Sequence, residues 1–194
     1  MKLPLSTVAA FFLAHIASFA AVDLGTPSQT PYDRYMSPVK QVLGTLRSQP
    51  TDFKRVEDLL RVGRGFRYSF TDPYTAASPA VTAQTRAGDC KAKSLWLVDQ
   101  LGDANVRYVI GRARATSKIS HAWVMWNDGR AWWILDPTNS SRPISAESVR
   151  RSEYIAQYSW AKSGSYRHTG GDAAAVAGKT KGRTAAVAAA GERR

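Results

Sequence analysis

A single cysteine, Cys90, is present in 194 residues, so no disulfide can close within the chain. Any special role for that thiol is therefore reactive rather than structural. Histidine is nearly as scarce. There are three, His15, His121 and His168, and no cluster of Cys and His has metal-ligand spacing. There is no glycine-rich phosphate loop and no internal repeat, which leaves nucleotide cofactors, repeat architectures and zinc modules without a sequence basis; no cofactor and no metal are expected. Acidic residues are outnumbered, 15 against 27 basic, for a formal charge of +12. That surplus suits anionic partners such as acidic envelope polymers, or simply a solubilising surface. After His168 the chain has no aromatic residue, so residues 170-194, rich in Ala, Gly, Lys and Arg, read as a disordered basic tail. With no recognition motif in the core, specific nucleic-acid binding is not expected.

Only one long apolar run exists, and it lies at the start. Lys2 followed by Val8-Ala9-Ala10-Phe11-Phe12-Leu13-Ala14 and the small-x-small Ser18-Phe19-Ala20 reads as a signal peptide over residues 1-20, with an uncleaved anchor as the alternative. A secreted or periplasmic protein with no membrane span after processing is the expectation. Residues 21-34, rich in Pro, Ser, Thr and Asp, read as a linker, and 35-169 as one domain large enough for its own core.

Within that domain Ser37-Pro38 offers an N-cap with proline at the first helical position, and Val39, Val42, Leu43 and Leu46 follow at helical spacing. A second helix runs from Thr51-Asp52 to Gly63. Phe66, Tyr68 and Phe70 alternate as a strand with an aromatic face, and residues 71 to 85 read as loop. Asp89 then caps a helix from Cys90 to Leu101 that ends at Gly102. It is apolar around most of its circumference, which makes it central and buried. Residues 105 to 115 read as a strand. Toward the end Tyr154, Ala156, Tyr158 and Trp160 alternate like another, with a helix through Val149 as the alternative. His168 reads as a surface residue.

The chemistry converges on Ser120-His121-Ala122-Trp123-Val124-Met125-Trp126 and Ala131-Trp132-Trp133-Ile134-Leu135-Asp136, separated by Asn127-Asp128-Gly129-Arg130. Asp-Gly between apolar, β-favouring runs signals a hairpin with a two-residue turn. Pairing Asn127 with Arg130 makes partner numbers sum to about 257, which puts His121 opposite Asp136 with Cβ atoms roughly 5 Å apart. Trp123 and Trp132 then share the His121 face, and Val124, Trp126, Trp133 and Leu135 the other. A carboxylate beside an imidazole holds its tautomer and stabilises its cation, so Cys90, His121 and Asp136 have the makings of nucleophile, base and orienting group. At the start of a helix the thiolate is favoured by the exposed amides, with Lys91 and Lys93 adding positive field. The bland readings are a buried small hydrophobe for Cys90, a satisfied core histidine for His121 and a turn starter for Asp136; none explains why histidine and aspartate face each other. Trp123, two residues from His121 on the same face, is a candidate border of a substrate groove.

Gly88-Asp89-Cys90 opening a helix, His121-Ala122-Trp123 on one strand and Trp133-Ile134-Leu135-Asp136-Pro137-Thr138 on the next resemble the transglutaminase-like superfamily of papain-like thiol enzymes, its bacterial cysteine-proteinase branch most of all. The resemblance runs from about Phe66 to Thr138. It implies an α+β fold with a papain-like core, a Cys-bearing central helix packed on an antiparallel sheet, and a Cys90-His121-Asp136 triad. Gln84, six positions before the cysteine, resembles the oxyanion glutamine of papain-like proteases. Two departures stand out: Lys91 replaces the tryptophan usual in crosslinking members, and Asp89 is the only acidic residue beside the cysteine, so no calcium requirement is expected. The implied function is attack on a peptide or side-chain amide of a protein or peptide substrate, followed by hydrolysis, by a monomer. The alternatives are amine transfer, as in a transglutaminase, and a non-catalytic binding module.

Overall fold

A computed structural model describes residues 22–169. The leader expected over 1-20 and the tail expected over 170-194 lie outside these residues. The fold is α+β: a seven-stranded sheet, antiparallel throughout, with helices packed on one face.

Helix α1 spans Ser37–Thr45, α2 Phe53–Arg64, α3 Pro79–Thr85 and α4 Cys90–Leu101. The strands are β1 Thr26–Pro27, β2 Arg67–Tyr68, β3 Ala87–Gly88, β4 Val106–Arg114, β5 His121–Asn127, β6 Trp132–Leu135, β7 Ile144–Ser145, β8 Glu153–Ala161 and β9 Gly164–Arg167. The large sheet runs β1-β9-β8-β4-β5-β6-β7, while β2 and β3 form a separate parallel pair. Helix α4 lies at the centre, in contact with α1, α2, α3, β4 and β5. Its Ala92, Leu95, Leu97 and Val98 are fully buried, as the absence of a polar face requires. Leu95, Leu97 and Val98 join Tyr108, Val124, Trp126, Leu135 and Trp160 in the main core. A second cluster, Val109, Trp123, Met125 and Ile134, covers the opposite face of the sheet. The strands β4 and β5 are thus apolar on both sides, the signature of central position.

Several segments differ from what their sequence suggests. Residues 22–34 are no free linker: β1 pairs with β9, and Leu24 O accepts a 2.6 Å bond from Arg107. Ser37 is the first helical residue of α1 rather than its cap, and Met36 stands at the cap. The stretch read as loop contains α3, whose Ser78 side chain accepts from the Val81 amide and whose Pro79 opens the first turn. Of the aromatic alternation only Arg67 and Tyr68 form a strand; Phe66 turns inward onto Trp96, with ring centroids 4.7 Å apart. The segment before β8 is a turn, not a helix through Val149.

The hairpin forms one residue later than the Asp-Gly rule puts it. Asn127 pairs with Trp132, and the chain reverses about Gly129-Arg130, with Asp128 N donating to Ala131 O at 3.2 Å. Only Gly129 takes positive φ, at +92°. A type I′ turn over Asp128-Gly129 needs both residues there, and instead the Asp128 carboxylate caps the amides of Arg130 and Ala131, each at 2.7 Å. The shift moves every pair by two in summed number, an even step, so each side chain keeps its face.

Candidate active site

Cys90 is the first residue of α4 and is partly exposed. Its position follows from Asp89, whose carboxylate accepts from the amides of Lys91 at 3.0 Å and Ala92 at 3.1 Å. This cap starts the helix at the thiol and leaves the Cys90 amide outside the set of donors that Asp89 engages. The β2-β3 pairing, Tyr68 beside Gly88, fixes the loop that delivers it.

His121 opens β5, and its Nε2 lies 2.8 Å from Asp136 Oδ2. The two are not directly opposite: in the observed register Asp136 continues the ladder across from Trp123, and His121 reaches it diagonally on the same face. With Nε2 committed to the carboxylate, and Asn139 Nδ2 3.1 Å from the same nitrogen, Nδ1 is the ring nitrogen left for Cys90, the residue that lines the cleft beside it. Burial alone would push the imidazole down. The Asp136 and Cys90 contacts outweigh it and raise its pKa from 6.5 to about 9.

Asp136 is fully buried, and burial favours its neutral form. Its hydrogen bonds prevail and hold it below the usual carboxylate value. Oδ1 accepts from the amides of Thr138 at 3.0 Å and Asn139 at 3.2 Å, and Oδ2 from His121, from Asn139 Nδ2 at 2.8 Å and from the Tyr154 hydroxyl at 3.0 Å. Asn139 and Tyr154 carry no signal in the sequence. Asn139 follows Asp136-Pro137 in a turn, where a side chain folding back is ordinary chemistry, but Tyr154 arrives from β8.

Beside the thiol lies a cleft of about 260 Å³ lined by Tyr68, Phe70, Tyr74, Cys90, Ile119 and His121 among others. Tyr68, Phe70, Tyr74 and Ile119 are large apolar side chains exposed around it. The aromatic alternation read from the sequence therefore serves the cleft wall with two of its three residues.

Other expected members fall elsewhere. Gln84 is exposed on α3 and does not line the cleft. Its helix carries it to the surface, whereas the oxyanion role required a loop passing the thiol. Trp123 is 1% exposed and does not line the cleft beside the thiol; it packs behind the imidazole, stacked on His121 at 6.1 Å, and with Met125 and Ile134 lines a separate cavity on the far side of the sheet. Lys91 is paired with Asp89 and sits 5.1 Å from the Phe70 ring, and Lys93 is buried with Nζ bonded to the Phe66 carbonyl, so neither offers a free positive charge to the thiol. Among the described residues, no group of three or more His, Cys, Asp or Glu is assembled to hold a metal. Nor is any described helix long and apolar enough to cross a membrane.

No family model matches the chain, and neither does any curated protein. Solved structures do. LapG of Legionella pneumophila, in its calcium-bound form, is 19% identical over 72% of this chain and 81% of that one, with a TM-score of 0.48. A second LapG structure gives 18% identity over 74% and 83%, with a TM-score of 0.47. A candidate cysteine protease from Cytophaga hutchinsonii is 21% identical over 59% of this chain and 40% of that one, with a TM-score of 0.39. With identities near one in five and TM-scores below one-half, these proteins are what the chain is similar to, and they assign none of its residues a role.

Proposed function

We propose that the protein is an exported thiol hydrolase that cleaves amide bonds in proteins or peptides through a thioester. The observation that carries this is the arrangement of a partly exposed thiol at a helix start and His121, both lining an apolar cleft, with a buried carboxylate 2.8 Å behind the imidazole. His121 takes the Cys90 proton, and the thiolate attacks the carbonyl carbon, forming a C–S bond. The oxyanion is held by the Cys90 amide and the positive end of α4. Collapse breaks the C–N bond as the imidazolium protonates the departing amine. Water, deprotonated by His121, then attacks the thioester; the C–S bond breaks, the acid leaves and the thiol is restored.

The aromatic walls of the cleft suit a substrate with apolar side chains near the scissile bond, since they offer stacking and burial but few polar partners. Neither metal nor cofactor enters the scheme, and activity abolished by a calcium chelator would contradict it. The decisive experiment is acid quenching of the mature protein mixed with a panel of peptides, followed by intact mass spectrometry. An acyl adduct on Cys90 that is absent in Cys90→Ala and decays in water supports hydrolysis. Decay only when an amine is added would assign amine transfer instead, and no adduct together with salt-sensitive polyanion binding would favour a binding module.

A further inference from the structure

Tyr154 stands out among the groups that the catalytic scheme leaves unused. It is one of two non-glycine residues at positive φ among those described, and the other, Arg86, merely ends α3. Tyr154, at φ +46°, lies inside β8, where a left-handed residue is unfavourable and persists only when its surroundings impose it. Its surroundings do so from three sides. The hydroxyl donates to Asp136 Oδ2 at 3.0 Å, and the ring meets Trp123 edge to face at 5.5 Å. The neighbouring Ile155 carbonyl presses so closely on Gly111 that a Cβ there would stand 2.1 Å from it. Gly111 pairs with His121 on its other side. The absence of a side chain at Gly111 thus lets β8 approach the strand that carries the imidazole.

We propose that Tyr154 is a positioning residue, whose hydroxyl holds Asp136 Oδ2 in the orientation that presents His121 to the Cys90 thiol. This rests on the reading of Cys90 as a nucleophile. The oxygen that orients the base has few degrees of freedom left: Asn139 fixes it from the turn and Tyr154 from the opposite strand, while Oδ1 is held by two amides. Tyr154 stays a donor at working pH, because burial first, and the adjacent carboxylate second, push its phenol up. The other ionisable groups facing the pair are His121 from β5, Cys90 and Lys93 from α4, Glu153 from β8 and Arg114 from β4. None of them besides His121 is bonded to that oxygen.

The test compares the wild-type protein with Tyr154→Phe, which keeps the ring and its contact with Trp123. Cys90 alkylation by iodoacetamide is followed against pH, with the melting temperature measured alongside. Without the phenolic donor the carboxylate protonates more readily and loses its orientation. The acid limb of alkylation should then move to higher pH by about half a unit or more, and peptide turnover should fall about tenfold through kcat with KM within twofold. Site-specific 3-fluorotyrosine, a stronger donor of nearly equal size, should move the limb the opposite way even if the Phe variant folds poorly. Profiles that superimpose on wild type, with only the melting temperature changed, would overturn the proposal. A wild-type thiol that is inert until denaturation, or a profile indifferent to His121→Ala, would instead remove the nucleophile reading on which it depends.

Discussion

Two histidines in this protein each stand between an aspartate and a nucleophilic side chain, and they have opposite characters. His121 joins Asp136 to Cys90 at the edge of an open cleft. His168 joins Asp23 to Ser159: its Nε2 lies 2.8 Å from the Ser159 hydroxyl and its Nδ1 3.4 Å from Asp23 Oδ1. By residue type the second set is the familiar serine triad. Yet Ser159 and His168 are 0% and 1% exposed, so no substrate carbonyl can reach the hydroxyl. Its aspartate is also the weaker partner, partly exposed and without a well-formed hydrogen bond to the ring.

Protonation follows from these differences. At His168 burial dominates and lowers the pKa, with the Asp23 charge opposing it and Arg107 adding to it. At His121 burial pushes the same way, but a sealed carboxylate and the thiol reverse the outcome. What separates a catalytic histidine from a structural one here is access on one side and an enclosed, fully hydrogen-bonded acid on the other. His168 ties the N-terminal segment to β8 and β9, replacing the surface role that its polar neighbours suggested.

The sharpest way to break this comparison is to exchange the losses. His121→Ala should lower peptide turnover by about 10²- to 10⁴-fold, the usual worth of a general acid and base, measured by initial rates. His168→Ala should leave turnover within about twofold but strand the buried Ser159 hydroxyl, at a cost of about 1 to 3 kcal/mol in denaturant unfolding. Comparable loss of turnover in both variants would erase the distinction.

Stability against pH should separate them more finely. His121, raised to about 9, contributes stability that is complete below its unfolded value of 6.5 and is lost as pH rises through about 9. His168 is lowered, so its contribution is present above 6.5 and lost as pH falls toward its folded value. Wild-type minus variant stability should therefore slope downward with pH for His121→Ala and upward for His168→Ala. Parallel slopes would contradict the assignment. The smallest effect is expected for Asp23→Asn, which keeps an oxygen acceptor for the Gly25 and Thr169 donors and removes only the charge on a partly exposed side chain, worth about 0 to 1 kcal/mol.

How much of this was legible in the sequence differs by element. The Asp89 cap, the buried α4 and the two faces of the β5-β6 hairpin follow from local pattern, and the faces survive the turn shift because it is an even step in register. The turn itself is not legible from Asp-Gly, since side-chain capping by Asp128 competes with the preference of that pair. Helix α3 was recoverable: Ser78-Pro79 carries the same cap-and-proline signal as Ser37-Pro38, masked by its small-residue surroundings. The burial of His168 and the reach of Tyr154 were not recoverable. Asp23 lies 145 positions from His168, and a tyrosine at positive φ inside a strand has no local signature.

The central claim is that Cys90 is a nucleophile prepared by His121. Its most direct test is the pH dependence of iodoacetamide alkylation of the native protein beside His121→Ala, where the lone thiol makes labelling unambiguous. Ready reaction of the native thiol, with a pH dependence that changes and a rate that falls in the variant, is the expected result. A native thiol that reacts only after denaturation, or one whose profile His121→Ala leaves unchanged, would contradict it.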